Sequence, residues 1–340
     1  MTYTTINKSS AHFDTNLYQA NGSGKTISNM DFQPDFVWTK NRDSASYIPA
    51  LVDAVRGGTK KLFSNNTNAE STDTNAITAF NSDGYTFGSS GSFNSGTDDY
   101  VNWCWKANGA GSANTDGTIT STVSANTTAG FSIATWSGTG SNGSIGHGLG
   151  GVDCMIIKDL SNVRDFYFWQ KTMAYNTRLE LNNTEAFTTG TDNMTALPDA
   201  TKINMAVSTQ NNGSGNNYVG YFFQEKQGYS KFGSYTGNGN ADGTFVYTGF
   251  KPAFVMIKNT TTAGTSWTMC DNKRAGYNAS NYRLAPNLAD VESTSNAWEM
   301  YSNGFKMTST GSRVNTSGNN YIYMAFASEP LVGDNPATAR

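Results

Sequence analysis

The chain has 340 residues, enough for two or three domains of ordinary size, each able to bury its own core. Charged residues make up only 14% and the net charge is −3, which excludes the basic footprint of a nucleic-acid binder and is too small an excess for an acidic tail. Hydrophobic residues reach 37% and aromatics 13%, and the polar remainder is mostly Gly, Asn, Ser and Thr, a balance poor for helix interiors and suited to short strands joined by turns.

The first element, NLYQANGSGKTI near Asn16, has an aromatic strand, a Gly/Asn-rich turn and a second short strand, which is hairpin chemistry. DFQPDFVWTK follows, with turn formers, a short apolar strand and a final Lys40. Pro34 suits the strand entrance, where no ladder N–H is required. A brief helix is expected around Ser46 to Ala54. FNSDGYTFG carries a two-residue turn at Asp83-Gly84, and NSGTDDYVNWCWK ends at Lys106. The polar stretch from Asn108 to Gly130 reads as a linker with one edge strand in GTITSTVS.

The series then recurs. FSIATWSGTGSNGSIGHGLG starts at Phe131, GLGGVDCMIIK ends at Lys158 and NGSGNNYVGYFFQEK ends at Lys226. It recurs again as SKFGSYTGNGNADGTFVYTGF from Ser230, GFKPAFVMIK ending at Lys258 with Pro252 in the place of Pro34, MYSNGFKMTS with Asn303-Gly304, and NTSGNNYIYMAFASE ending at Glu329. The middle copy lacks the turn dipeptide around Thr201 to Val207. From the landmark Lys to the end of the last signature is 66, 68 and 71 residues, so the three series are one duplicated pattern. The expected fold is all-β, with three tandem β-sandwich, jelly-roll-like modules. Module 1 spans 1–107, a linker 108–128, module 2 129–227, module 3 228–330 and a mobile tail 331–340. A β-solenoid would need a much shorter repeat.

Strand alternation selects a core. Val101, Trp103 and Trp105 share a face, matched by Val219, Tyr221 and Phe223, then by Ile322, Met324 and Phe326. Phe36, Trp38, Ile156 and Phe254 from the Lys-terminated strands complete the core. This apolar face is expected to point into each sandwich. The mixed face, with Asn102 and Cys104, Gly220 and Phe222, Tyr323 and Ala325, is expected to meet another module or a partner.

Reactive groups are few. His12 lies in the polar amino-terminal segment and His147 in a turn; neither belongs to a metalloprotease, nucleophile-elbow or CxxC motif. The glycine-rich GSGK at Gly22 and GTGSNG at Gly138 read as turns, since neither has phosphate-loop spacing. Asp98 and Asp99 are adjacent at a strand entrance and become Asn216-Asn217 and Asn319-Asn320 in the other copies, which suits a turn better than acid catalysis. Asp53 with Arg56 corresponds to Asp271 with Arg274, while copy two has neither; a loop-holding pair is favoured over a ligand site. Tyr47, Trp169, Trp267 and Tyr282 are the candidates for stacking on sugars, with packing the commoner role. Cys104, Cys154 and Cys270 form no disulfide framework and no zinc pattern, which fits a reducing folding compartment such as a bacterial cytosol. No EF-hand spacing occurs. No cofactor is expected. The amino terminus does not read as a secretory signal, and no apolar run approaches the ~20 residues of a membrane span, so no membrane insertion is expected.

Several strings, among them YTTINKSSAHFDTNLYQANG, FQPDFVWTKNR, LVDAVRGGTKKLFSNNTNAE, DYVNWCWKANG and GYSKFGSYTGNGNADGTFVYTGFKPAFVMIKNT, resemble an uncharacterised repeat family of tailed phages, especially marine ones. Its members are similar to tail-fibre and other virion structural proteins, with lectin-like modules of laminin-G or concanavalin type. The resemblance implies a virion location, with synthesis in the host cytoplasm. The partners it implies are other virion proteins, copies of itself and, for an appendage, a host-surface glycan. It brings no catalytic motif. The leading expectation is a non-enzymatic particle-surface protein, as tail fibre or capsid decoration. The alternatives are a polysaccharide depolymerase and a free carbohydrate-binding module.

Overall fold

The structure is a computed structural model and describes residues 3–190, 193–274, 282–295, 297–332 and 336–337. Turn formers break the apolar runs into short strands, and the described residues hold 26 of them, one 3-10 turn at Ser9–Ala11 and no α-helix. Copy one contains β1 (Phe13–Gln19), β2 (Lys25–Ile27), β3 (Phe36–Asn41), β4 (Ala50–Asp53), β5 (Lys60–Phe63), β6 (Ser71–Thr72), β7 (Ile77–Asn81), β8 (Gly84–Phe87) and β9 (Asp99–Trp105). Next come β10 (Ser112–Asn114) and β11 (Ser121–Asn126). Copy two contains β12 (Phe131–Ser137), β13 (Gly143–Gly146), β14 (Cys154–Asp159), β15 (Tyr167–Gln170), β16 (Thr177–Glu180), β17 (Thr188–Thr189), β18 (Lys202–Met205) and β19 (Asn217–Phe223). Copy three contains β20 (Ser230–Thr236), β21 (Phe245–Tyr247), β22 (Phe250–Asn259), β23 (Thr268–Asp271), β24 (Trp298–Tyr301), β25 (Gly304–Met307) and β26 (Asn320–Pro330).

The protein is all-β and sandwich-like. Copy one has a large antiparallel sheet ordered β1-β9-β3-β4-β5-β6 and a small one, β2-β8-β7. Copy two repeats this as β12-β19-β14-β15-β16-β17 with β13-β18, and copy three as β20-β26-β22-β23 with β21-β25-β24. The stretch 108–128, read as a linker, carries β10 and β11, which extend the second large sheet beyond β12. Pro252 lies inside β22 at a register shift against β26, where the ladder is already interrupted. Of the tail read as mobile, residues 333–335 and 338–340 lie outside the described residues.

Two local expectations are corrected. The segment NLYQANGSGKTI is no hairpin, and neither are its counterparts from Phe131 and Ser230: β1 pairs along its whole length with β9, as β12 does with β19 and β20 with β26, while β2, β13 and β21 pair in the other layer with β8, β18 and β25. Seven residues paired with β9 outweigh what three-residue β2 could offer. The helix expected around Ser46 to Ala54 is β4, whose four residues are all buried and pair with β3; tertiary pairing overrides local helix preference there. The turn dipeptides at Asp83-Gly84 and Asn303-Gly304 do close hairpins, β7-β8 and β24-β25, while in copy two β18 pairs with β13 and has only a single bridge, Met205 to Met194, on its other side among the described residues.

All thirteen side chains expected in the core are at most 3% exposed, but the strand faces are opposite to the expected assignment. The mixed face of β9 lies inside its own sandwich: Tyr100 and Cys104 cluster with Val37 and Val52 of the large sheet and with Ile27, Tyr85 and Phe87 of the small one. The apolar face points instead to the junction of all three copies. Equivalent residues Trp105, Phe223 and Phe326 form a triangle there, with ring centroids 6.3, 5.5 and 5.8 Å apart. Around it, Phe36 stacks on Tyr221 at 4.2 Å and Trp103 meets Phe254 at 5.7 Å, each contact joining two copies. One hydrophobic cluster therefore runs from Ile6 to Ala327 through all three repeats. The large sheets form a closed, pseudo-threefold assembly, and their thickest apolar faces meet where the most area can be buried.

Candidate functional site

The polar groups repeated between copies converge on the seams between neighbouring sheets. The strand pairings put Asp53, Gln170 and Asp271 at one equivalent position, each opposite the residue four before its landmark lysine: Phe36, Cys154 and Phe254. Arg56 Nε donates to Asp53 at 2.6 Å, and Tyr221 of copy two donates its hydroxyl to the same carboxylate at 2.9 Å. Arg56 also reaches Glu70 at 3.0 Å. In copy three Arg274 Nε donates to Asp271 at 2.7 Å, Trp103 Nε1 of copy one donates to that carboxylate at 3.0 Å, and Glu292 takes the second arginine contact at 2.8 Å. Burial alone would push both guanidinium groups down, but the Asp53 and Asp271 carboxylates, with the nearby glutamates, hold them above their ordinary values.

Copy two replaces the pair with Gln170 and Met173, and the residue of copy three equivalent to Tyr221 and Trp103 is Met324, which has no N–H or O–H to donate. Gln170 turns its Nε2 to Thr172 Oγ1 and to the Gly233 carbonyl of copy three. Donor, carboxylate and arginine are thus present together or absent together, as expected of an inter-copy fastening rather than a reaction centre.

The landmark lysines form a second repeated set that composition and spacing marked only as a signature. Each sits at or near the end of its strand, and Lys40, Lys158 and Lys258 are fully buried. Lys40 Nζ donates to Ala289 O of copy three at 2.7 Å. Lys158 Nζ donates to Asp159 O at 2.7 Å and to Thr67 O of copy one at 3.4 Å. Lys258 Nζ donates to Asn259 O at 2.8 Å and to Thr184 O of copy two at 3.3 Å. Each lysine therefore holds a loop carbonyl of the preceding copy around the assembly. Burial, only partly offset by neighbouring acids, pushes each amine down to about 8. The signal in the sequence was a charged residue recurring directly after an apolar run, where an exposed strand end would not need one.

The remaining candidates are likewise engaged. Asp98 accepts from Asn41 Nδ2 at 2.8 Å, and at the equivalent positions of copy two Asn216 Nδ2 donates to Asp159 at 3.0 Å, so carboxylate and amide have changed places around one bond. Asp99 lies 3.8 Å from Arg42, while Asn217 and Asn320 at its place bond Ser137 and Thr236. Asn319 donates to Thr262. Asn94, Asn212 and Asn315, which sequence reasoning passed over, are buried and accept from the turn N–H of Gly22, Thr139 and Asn238. His147 Nδ1 accepts from Leu149 N at 3.1 Å, leaving Nε2 to donate to Asp199 O; burial lowers its pKa, and that of half-buried His12. The three thiols are buried and pushed well up by desolvation. Trp169 and Trp267 are buried and bond Ala174 O and Glu180 O, while Tyr47 and Tyr282 are half-buried. Among the described residues no group of three or more His, Cys, Asp or Glu is placed to hold a metal.

A hollow of about 400 Å³ lies over the seam between copies one and two, lined by Arg56, Glu70, Thr122, Trp136 and Tyr218. Its aromatic walls are buried and serve the sandwich, Trp136 stacking on Tyr218 at 5.6 Å. The family comparison treats this shared assembly as one unit, its model matching residues 8–330 without a break between copies. The chain belongs to the family described as a domain of unknown function, DUF7483. In DUF7483 terms the domain therefore comprises all three copies, from the turn before β1 to the last residue of β26. No curated protein matches the chain.

Proposed function

We propose that this DUF7483 protein is a non-enzymatic structural component on the surface of a tailed-bacteriophage particle, as a tail appendage or a capsid decoration. The carrying observation is that the best candidates for chemistry, the Asp53–Arg56 and Asp271–Arg274 pairs, have side chains no more than 3% exposed and are used to fasten one copy to the next. A single body of three joined sandwiches with low charge and large Asn-, Ser- and Thr-rich surfaces suits side-by-side packing on a particle. The resemblance of its strings to phage virion proteins supports the same reading.

Mass spectrometry of gradient-purified particles, with copy number, tests it. The expected result is a stoichiometric particle protein, in the high copy number of a decoration or the low one of an appendage. Absence from purified particles overturns the proposal. Release of sugar from host envelope by the purified protein would assign it to the depolymerases instead, provided Asp53→Asn abolishes release while leaving the fold intact.

A further inference from the structure

The outer edges of β1, β12 and β20 are equivalent, but each is treated differently. Phe13 pairs with Trp105, Phe131 with Phe223 and Ser230 with Phe326, so Thr15, Ile133 and Phe232 share one position. Between copies one and two, β11 covers this edge, with Ser124 opposite Ile133 and Ala125 opposite Ser132. Between copies two and three, the Glu225 carboxylate covers it. That carboxylate accepts the N–H of Phe232 at 3.2 Å and is held by Lys171 at 2.7 Å and Lys231 at 3.7 Å.

Between copies three and one, no strand and no side chain of the neighbouring copy covers the edge among the described residues, and the Thr15 N–H is accepted only by Asp14 Oδ1 of β1 itself, at 2.9 Å. The residue in Glu225's place is Ser328, and no strand pairs with the outer side of β1 among the described residues. A hollow of about 360 Å³ opens there, lined by Phe13, Asp14, Thr15, Asn272, Lys273 and Glu329, among others. Two buried polar atoms on its walls have no partner among the described residues: Thr15 Oγ1, on a residue 5% exposed, and Asn272 Oδ1. Because His12 O and Asp98 O are bonded across the β1-β9 pair, the even-numbered residues face β9, and the backbone groups of Phe13, Thr15, Leu17 and Gln19 point to the outer edge, where Lys25 Nζ takes the Gln19 carbonyl at 3.1 Å. Leu17 is 38% exposed beside it. The walls carry two carboxylates, Asp14 and Glu329, against the single ammonium of Lys273.

We propose that this seam is a docking site for an extended segment of another polypeptide, added antiparallel to the outer edge of β1 and carrying a Lys or Arg opposite Asp14. The chain itself supplies the template, since β11 makes this addition at the equivalent edge of β12. Backbone pairing with Phe13, with the Thr15 carbonyl and with Leu17 supplies the affinity, and the excess of carboxylate sets the charge of the guest. The proposal is independent of the virion assignment and stands or falls on the edge alone.

The probe is a synthetic peptide copying residues 119–127 with Lys in place of Ala125, ITSTVSKNT, added at up to about 1 mM to the full chain. The expected result is slowed amide exchange at Leu17, with β12 unchanged. Binding should be about tenfold weaker for the Glu-bearing peptide, and Asp14→Lys should reverse the preference. A peptide N-methylated on its β1-facing residues should not bind. Unchanged exchange at Leu17 with every peptide, or binding indifferent to N-methylation, overturns the proposal. So does a concentration-dependent dimer that Leu17→Pro removes, which would give the edge to a second copy. Thr15→Val should leave the Tm unchanged or raised, because its hydroxyl bonds nothing among the described residues; a lowered Tm would show that the hydroxyl serves the fold instead.

Discussion

At the level of single residues, the two Asp–Arg pairs and their absence from copy two define what the buried charges do. An ion pair taken out of water is tolerated only when every lone pair is answered, and Asp53 is answered by Arg56, by two turn N–H groups and by Tyr221. Removing Arg56 alone, as Arg56→Met, should therefore cost about 3–5 kcal/mol, because it strands a buried carboxylate. The double change Asp53→Gln with Arg56→Met reproduces the arrangement of copy two and should cost less than Arg56→Met alone. Chemical denaturation of the two single variants and the double variant gives the coupling directly; additive losses would show that the pair is not the fastening described here. The Asp–Arg spacing was readable in the sequence, and so was its absence from copy two. The partners Tyr221 and Trp103 were not, since they lie 168 residues away in each case and in a different repeat.

At the level of elements, the three Lys-terminated strands carry the same logic. Each buried ammonium sits among carbonyls, with no carboxylate bonded to it among the described residues, and its pKa falls to about 8 from 10.5. Below pH 8 the amine is protonated in both states and the full desolvation penalty is present. Between 8 and 10.5 the unfolded chain holds a proton that the folded chain has released, so this contribution to stability rises with pH. The stability of the wild-type protein should therefore gain on that of Lys158→Met by up to about 3 kcal/mol across that window. Denaturation at several pH values measures it, and a difference that stays flat would show that Lys158 does not titrate there. The subtraction is needed because the buried thiols and phenols, pushed up by desolvation, act in the opposite direction at alkaline pH. The short strands and their order along the chain were legible from turn chemistry and apolar runs. The partner of β1 was not, because a Gly/Asn turn is compatible with both a hairpin and a crossing between layers.

At the level of the whole molecule, the copies are not independent beads. The triangle of Trp105, Phe223 and Phe326, together with Phe36, Phe131 and Phe254 around it, is buried only when all three large sheets are present. An excised copy two, residues 129–227, would expose one whole face of its main sheet. It should not fold alone, whereas the full chain should unfold in one cooperative transition. Calorimetry of the chain and amide dispersion of the fragment check this; a well-dispersed fragment spectrum would restore the picture of separate modules. Trp103→Ala, at the junction of copies one and three, should likewise lower the stability of the entire chain, by about 3–5 kcal/mol.

The sequence by itself determined the β class, the threefold repeat, the Lys-terminated strands and the identity of the buried apolar residues. These follow from local propensity, from turn formers and from an alternation of period two, all of which act over a few residues. Only the tertiary structure decided which face of each strand looks inward to its own sandwich and which looks to its neighbours. Alternation distinguishes two faces without saying what each will meet, and here both are buried. The choice fell to the closure of three sheets around one axis, where the larger aromatic face covers the most area.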